Sequence, residues 1–141
     1  MTPAVSERPI PGVGVAVVAD GRLLLVKRGR EPGRGLWAVP GGKVEAGEEL
    51  TATARREVAE ETGLEVVVED VVWVGESIGP GDPPAWHYVM IDFIGRVVGG
   101  EPVAADDADE VGWFTDEEAR HLPLTPTMPG LLDKLVEAGE L

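Results

Sequence analysis

The segment GGKVEAGEELTATARREVAEETGL, Gly41 to Leu64, carries six glutamates in a chain that already has 26 acidic residues against 12 basic ones. From Glu48 to Thr62 it holds no glycine or proline, with Ala52, Ala54, Val58 and Ala59 as an apolar face among good helix formers and Gly63 as the terminating residue. In such a helix Glu57, Glu60 and Glu61 fall within an arc of about 100°, so their carboxylates point the same way. These neighbours repel, at about 0.2 to 0.5 kcal/mol per pair even in water and more on a partly covered face. Arg56, four residues before Glu60, offsets one charge and leaves the others uncompensated. A helix that needed only solubility would interleave lysine. Hard oxygen ligands without cysteine or histidine suit Mg²⁺ or Mn²⁺, not zinc. A solvated acidic face is the ordinary alternative, and the spacing alone does not exclude it.

The flanking elements must hold this helix in place. VGVAVVA (Val13 to Ala19) and RLLLVKR (Arg22 to Arg28) read as two antiparallel strands joined at Asp20-Gly21, a strong hairpin signal. REPGRG reads as a loop, and LWAVPGG (Leu36 to Gly42) as a short strand stopped by Pro40 and two glycines. After the helix, Leu64 to Glu76 and Trp86 to Val97 read as long strands around the loop GPGDPP, and Glu110 to Phe114 as a last strand. Two further helices are expected, Asp116 to His121 and Pro129 to Ala138. Strands on both sides of a central helix, with another helix at the end, predict an α/β fold in which a mixed β-sheet packs between helices.

Composition narrows the function. The length of 141 residues suits a single domain over residues 1–141, and 43% apolar with 27% charged residues is ordinary globular usage. With no cysteine there is no disulfide, thiolate metal site or cysteine nucleophile. The N-terminus lacks a basic start followed by an apolar stretch, and no run approaches 18 apolar residues, so no membrane partner and a cytoplasmic location are expected. A net charge of −14 argues against a nucleic-acid polymer as partner. An anionic ligand would then need local neutralisation.

From Gly42 the residues run glycine, five residues, Glu48, seven residues, Arg56-Glu57-Val58, one residue, Glu60-Glu61, one residue, Gly63-Leu64. At every fixed position this resembles the Nudix box, G-x5-E-x7-R-E-U-x-E-E-x-G-U with U apolar, a match expected by chance on the order of 10⁻⁸ per start. The motif covers 23 of 141 residues, and the preceding hairpin, LWAVPGG and EVGWF also look like that family. The resemblance implies a Nudix-type α/β/α sandwich that hydrolyses a small-molecule nucleotide, a nucleoside diphosphate linked to another moiety. Glu57, Glu60 and Glu61 match the metal-ligating glutamates, the Gly41 carbonyl falls where a backbone oxygen completes the shell, and Arg56 matches the arginine that orients the carboxylates. Glu48 would support the box by hydrogen bonding or reach a second metal, and Gly42 and Gly63 would serve backbone conformation. Bound Mg²⁺, or Mn²⁺ in its place, would reverse the field around the pyrophosphate and acidify the attacking water.

Other residues complete this expectation. Lys27, Arg28, Arg30, Arg34 and Lys43 are five of the 12 basic residues within a span of 17, and Arg28 and Arg30 are the chosen phosphate contacts. The proton acceptor is Glu57 or an acid of the loop ADDADE, because in many relatives a carboxylate before the last strand approaches the metals; Asp107 and Glu110 are favoured there. Trp86 is singled out to stack on substrate, with Trp37, Trp73 and Trp113 assigned to the core and His87 and His121 given no chemical role. Pro80, 16 residues past Leu64, sits where members active on ADP-ribose often carry proline. ADP-ribose or a related derivative is therefore favoured, with a (deoxy)nucleoside triphosphate of the MutT type as the competing substrate and a non-catalytic nucleotide-sensing domain as the competing class. Family members are often dimers, so the resemblance also allows a homodimer.

Overall fold

The computed structural model describes residues 8–141. Strands β1 (Ile10–Ala19) and β2 (Arg22–Arg28) form the expected hairpin, with Asp20 and Gly21 at φ 52° and 73°. Two consecutive left-handed residues match the twist of the flanking strands, as in two-residue hairpin loops. The remaining elements are β3 (Trp37–Ala38), β4 (Gly41–Lys43), α1 (Leu50–Thr62), β5 (Glu65–Ile78), β6 (His87–Gly99), β7 (Ala108–Phe114), α2 (Asp116–Arg120) and α3 (Met128–Glu137).

Strand β1 is the centre of the sheet. One edge pairs in parallel with β6, from Ile10 opposite Tyr88 to Val17 opposite Gly95, and β6 pairs antiparallel with β5. The other edge changes partner along its length. Gly12, Val13 and Gly14 pair with β4, whereas Val18 and Ala19 pair with β2. Strand β2 then runs on between β7 and β3. The mixed sheet therefore opens where β4 and β2 part, leaving a crevice beside the C-terminal half of the acidic helix.

Side-chain alternation sorts the core into two layers. Val13, Val15, Val17, Leu24, Val66 and Phe93 meet Ala54 and Val58 of α1 on one face. Ala16, Val18, Leu23 and Leu25 meet Met128, Leu131, Leu132 and Leu135 of α3 on the other. Each fully buried leucine contributes about 1.5 to 3 kcal/mol, so α3 is anchored by its apolar stripe. The result is the α/β/α sandwich expected from the sequence.

Several boundaries differ from expectation for physical reasons. The stretch from Leu36 to Gly42 is not one strand: Val39-Pro40 interrupts it, because proline has no N–H for a ladder, and its two halves join different partners. β1 begins at Ile10 and β7 at Ala108, both earlier than read, since pairing with β6 and β2 recruits residues whose own signal is weak. In α1 the buried stripe is Thr53, Ala54, Val58, Glu61 and Thr62, while Ala59 is exposed and Ala52 half-buried. The expected apolar face therefore fails at Ala59, which points to solvent. Glu61 itself belongs to the face turned toward the sheet.

Candidate active site

Because Glu61 continues the stripe begun by Ala54 and Val58, it is only 7% exposed. Its Oε2 accepts a hydrogen bond from the Gly41 backbone N at 2.8 Å. Glu57 borders the stripe and Glu60 stands further out, with 14% and 44% of their side chains exposed. Glu57 lies against Gly42, where any Cβ would collide with its carboxyl. Gly42 is not among the described glycines of positive φ, so close approach replaces the expected conformational reason. Gly63, at φ 73°, does terminate the helix in the left-handed region.

Arg56 acts as a hub. Its Nε and Nη2 donate to Glu48 at 2.8 and 2.9 Å, and its Nη1 donates to Glu57 at 2.7 Å and to Glu60 at 3.3 Å. Nη2 also approaches the Lys43 carbonyl at 3.4 Å. Glu48 accepts from Thr53 Oγ1 as well, and Arg56 first and Thr53 second hold its carboxyl down at about 2. The planar guanidinium matches this fork of acceptors as an ammonium could not. Of the two readings of Glu48, the structure displays hydrogen-bonding support.

Glu57 and Glu61 are perturbed in the opposite direction. Burial pushes Glu61 up to about 8, with the Glu57 charge adding to the effect and the Gly41 N–H and Arg28 opposing it. Burial also raises Glu57, against the pull of Arg56 and with Glu60 and Asp106 adding repulsion. A divalent cation would reverse these penalties.

The site's residues fit such a cation by donor chemistry. Glu57, Glu60 and Glu61 each have one oxygen engaged, by Arg56 or Gly41, and one carboxyl oxygen with no hydrogen bond among the described residues. All are hard oxygen donors. Among the described residues no three acidic or histidine side chains already converge as a ligand cage; Arg56 holds Glu57 and Glu60, and the Gly41 N–H holds Glu61.

The C-terminal end of α1 draws in the second acidic segment. Val103 N donates to the Thr62 carbonyl at 2.9 Å and Ala105 N to the Glu61 carbonyl at 3.0 Å, satisfying carbonyls the helix leaves open. Gly29 N then donates to the Asp107 carbonyl at 2.8 Å, and Arg30 is ion-paired with the Asp107 carboxylate. Arg28 Nε donates to the Pro32 carbonyl at 2.7 Å. Two of the expected site residues, Arg30 and Asp107, thus neutralise each other.

These groups border a cleft of about 1060 Å³ at the opening between β4 and β2. Glu57, Glu61, Arg28, Arg30 and Asp107 line its charged part beside Gly41, and Trp86 lines it together with Tyr88 and Pro32. The Trp86 ring rests on Gly79, and its Nε1 donates to Ser77 Oγ at 3.2 Å. Arg56 and Glu60 do not line the cleft; Arg56 acts through Glu57. Glu110 is not brought to it either, because it lies within β7 opposite Lys27 and bonds that ammonium at 3.1 Å. Pro80 is also outside the lining, and its carbonyl accepts from Ala85 N. Trp37 and Trp73 pack with the α3-side core and Trp113 against the α1-side core. His87 bonds Glu76 and His121 bonds the Glu117 carbonyl.

Sequence reasoning missed Asp92. It is 3% exposed, lines the cleft, and is raised to about 7 by burial alone. A lone acid within the apolar run WHYVMIDFIG was the available signal.

The NUDIX domain family profile matches residues 8–135. The chain belongs to the Nudix family. An ADP-ribose pyrophosphatase of Methanocaldococcus jannaschii is 41% identical over 75% of the chain, a match covering 62% of that protein's length. A putative 8-oxo-dGTP diphosphatase 2 of Mycobacterium tuberculosis is 35% identical over 87% of the chain and 85% of its own length. Among solved structures, a MutT NUDIX hydrolase from Burkholderia pseudomallei superposes with a TM-score of 0.80 at 32% identity, covering 92% of this chain and 99% of that one. The residues of the Nudix box, Gly42 to Leu64, run from β4 through a loop and α1 to the start of β5 on the mixed sheet. No helix among the described residues is long and apolar enough to cross a membrane.

Proposed function

We propose that this Nudix hydrolase is a Mg²⁺-dependent pyrophosphohydrolase that cleaves a nucleoside diphosphate linked to another moiety, with ADP-ribose or a related derivative as substrate. The observation that carries this reading is the cleft in which buried Glu61 and partly buried Glu57 adjoin Arg28 and Arg30, and which continues into an aromatic and apolar chamber. Such a lining takes an anionic centre flanked by less polar groups.

Glu57, Glu60 and Glu61 would hold the ion, with the Gly41 carbonyl nearby, and Arg56 keeps Glu57 and Glu60 in place. When bound, Mg²⁺ supplies charge neutralisation for the pyrophosphate and lowers the pKa of water. Arg28 and Arg30 orient the phosphates. Asp107 is committed to Arg30, so Glu57, whose burial raises its carboxyl pKa, is the better proton acceptor for the attacking water. Trp86, with Tyr88 and Pro32, packs against the second moiety. Favouring ADP-ribose rests on Pro80 and on the likeness to the M. jannaschii protein. The likeness to the M. tuberculosis protein, which covers more of both chains, favours the second reading, hydrolysis of an oxidised or normal (deoxy)nucleoside triphosphate.

The test is chromatographic product analysis after incubation with Mg²⁺ and a panel of ADP-ribose, NADH, diadenosine polyphosphates, nucleotide sugars and nucleoside triphosphates, with Glu61→Gln alongside. AMP and ribose 5-phosphate from ADP-ribose are the expected products. A monophosphate and pyrophosphate from triphosphates alone would establish the second reading. No turnover with either Mg²⁺ or Mn²⁺ would refute both and leave a nucleotide-sensing domain.

A further inference from the structure

The apolar part of the cleft holds one acid that the chemistry above does not use. Asp92 stands in β6 in register with Gly14 of β1, and a Cβ on Gly14 would collide with the Asp92 carboxyl. Gly14 also touches Val39, and in the same way Gly12 makes room for Met90. Met128 and Leu131 line the same cavity from α3. The sequence thus keeps two glycines opposite the side chains that form this floor.

The Asp92 carboxyl makes no hydrogen bond or ion pair among the described residues. No fully sealed polar side-chain atom lacks a partner there either, so the carboxyl oxygens of this nearly buried residue reach the cleft. A buried acid that stabilised the fold would be met by a donor from the protein. This one opens on the cleft, which Val39, Met90, Met128 and Leu131 line together with the charged and aromatic residues already described.

Its position is set relative to the charged part of the site. Asp92 pairs with Gly14, and Gly14 pairs with Gly41, whose N–H holds Glu61. Two strand spacings, about 10 Å, separate the Asp92 backbone from Gly41, and the Asp92 carboxyl leans over Gly14 between them.

We propose that Asp92 is a specificity-determining residue that receives an adenine-type edge of the substrate's base, its carbonyl oxygen accepting from the amino N–H and its hydroxyl donating to the adjacent ring nitrogen. The assignment rests on the nucleotide reading of the cleft. An ionised carboxylate here would need cationic or multiple N–H partners, and no described residue bonds it: Arg28 Nε donates to the Pro32 carbonyl and Arg30 pairs with Asp107. The neutral acid needs only one donor and one acceptor, which the amino-substituted edge supplies together. Burial, which holds the acid neutral up to about pH 7, agrees with this.

Calorimetric binding of AMP and of purine riboside 5′-monophosphate, which lacks the amino group, tests the assignment without requiring turnover. The wild type should bind AMP at least about tenfold more tightly than the purine analogue, the effect of one buried hydrogen bond. Asp92→Ala should lose that discrimination and bind AMP about tenfold more weakly, while Asp92→Asn, which keeps an acceptor oxygen and an N–H donor, should stay within about threefold of wild type. Three results would overturn the proposal: wild-type discrimination in Asp92→Ala, no nucleotide binding by the wild type, or a wild-type preference for GMP that Asp92→Asn abolishes. The last would show a carboxylate reading two donors. A wild type that discriminates AMP as expected but hydrolyses nothing would refute the hydrolase reading while supporting this one.

Discussion

Replacing Asp92 by asparagine should make the protein more stable, by an amount that grows with pH. The side chain is 3% exposed and its carboxyl titrates at about 7 in the folded protein against a usual value of 3.8, with burial as the cause. A folded-state pKa raised above the unfolded value means that the folded protein binds more protons between those two values. Stability is therefore lost as pH rises from about 4 to 7 and is level above that. At 1.36 kcal/mol per pKa unit, the ionised group costs about 4 kcal/mol at pH 8 and under about 2 kcal/mol at pH 5. Asparagine has the same shape and no charge to desolvate, so Asp92→Asn should remove this cost. For a domain of this size about 4 kcal/mol corresponds to a melting midpoint higher by about 10 °C at pH 8. Thermal unfolding followed by circular dichroism in EDTA, at pH 5 and pH 8, measures the gap between variant and wild type. A gap that does not widen with pH, or a variant that melts below wild type, would refute the reasoning. It would mean that Asp92 has a stabilising partner and is no free reader of substrate.

Three further substitutions address the metal platform and its surroundings. Arg56→Lys cannot reproduce the forked bonds to Glu48 and should cost about 1 to 3 kcal/mol in a urea titration; an unchanged midpoint would remove Arg56 as the hub. Gly42→Ala meets no left-handed penalty, but its Cβ displaces the Glu57 carboxyl, so turnover should fall at least about tenfold with little change in circular dichroism. Wild-type turnover in that variant would show that Glu57 need not lie against the strand. Arg30→Ala releases Asp107 and should raise KM; unchanged KM and kcat would exclude Arg30 from phosphate binding.

Most of the fold was legible because its signals are local. Asp20-Gly21 marks a hairpin, Gly63 a helix end, and the near-continuous apolar runs of β1 and β2 a sheet buried on both faces. What could not be read is long-range. Nothing local to LWAVPGG says that its halves pair with different strands, yet that division opens the cleft. The box glutamates were visible from spacing and motif, but not that Glu61 lies in the buried stripe, because the stripe is set by the sheet it meets. The ADDADE loop announced its acids without saying which would reach the site. Docking of Val103 and Ala105 on the carbonyls of α1 brings Asp107 in, and strand pairing with Lys27 keeps Glu110 out. Asp92 was overlooked because a lone acid in an apolar strand also fits an outward-facing position, and only the register with Gly14 turns it inward.

The central claim is that the acidic helix is a cation socket, and metal binding itself tests it most directly. Titrating Mn²⁺ into the metal-free protein while following the free-ion signal by electron paramagnetic resonance should show saturable binding in the wild type. Glu57→Gln and Glu61→Gln should each weaken that binding at least about tenfold. Equal Mn²⁺ affinity in wild type and both variants would contradict the account and reduce the helix to an acidic surface.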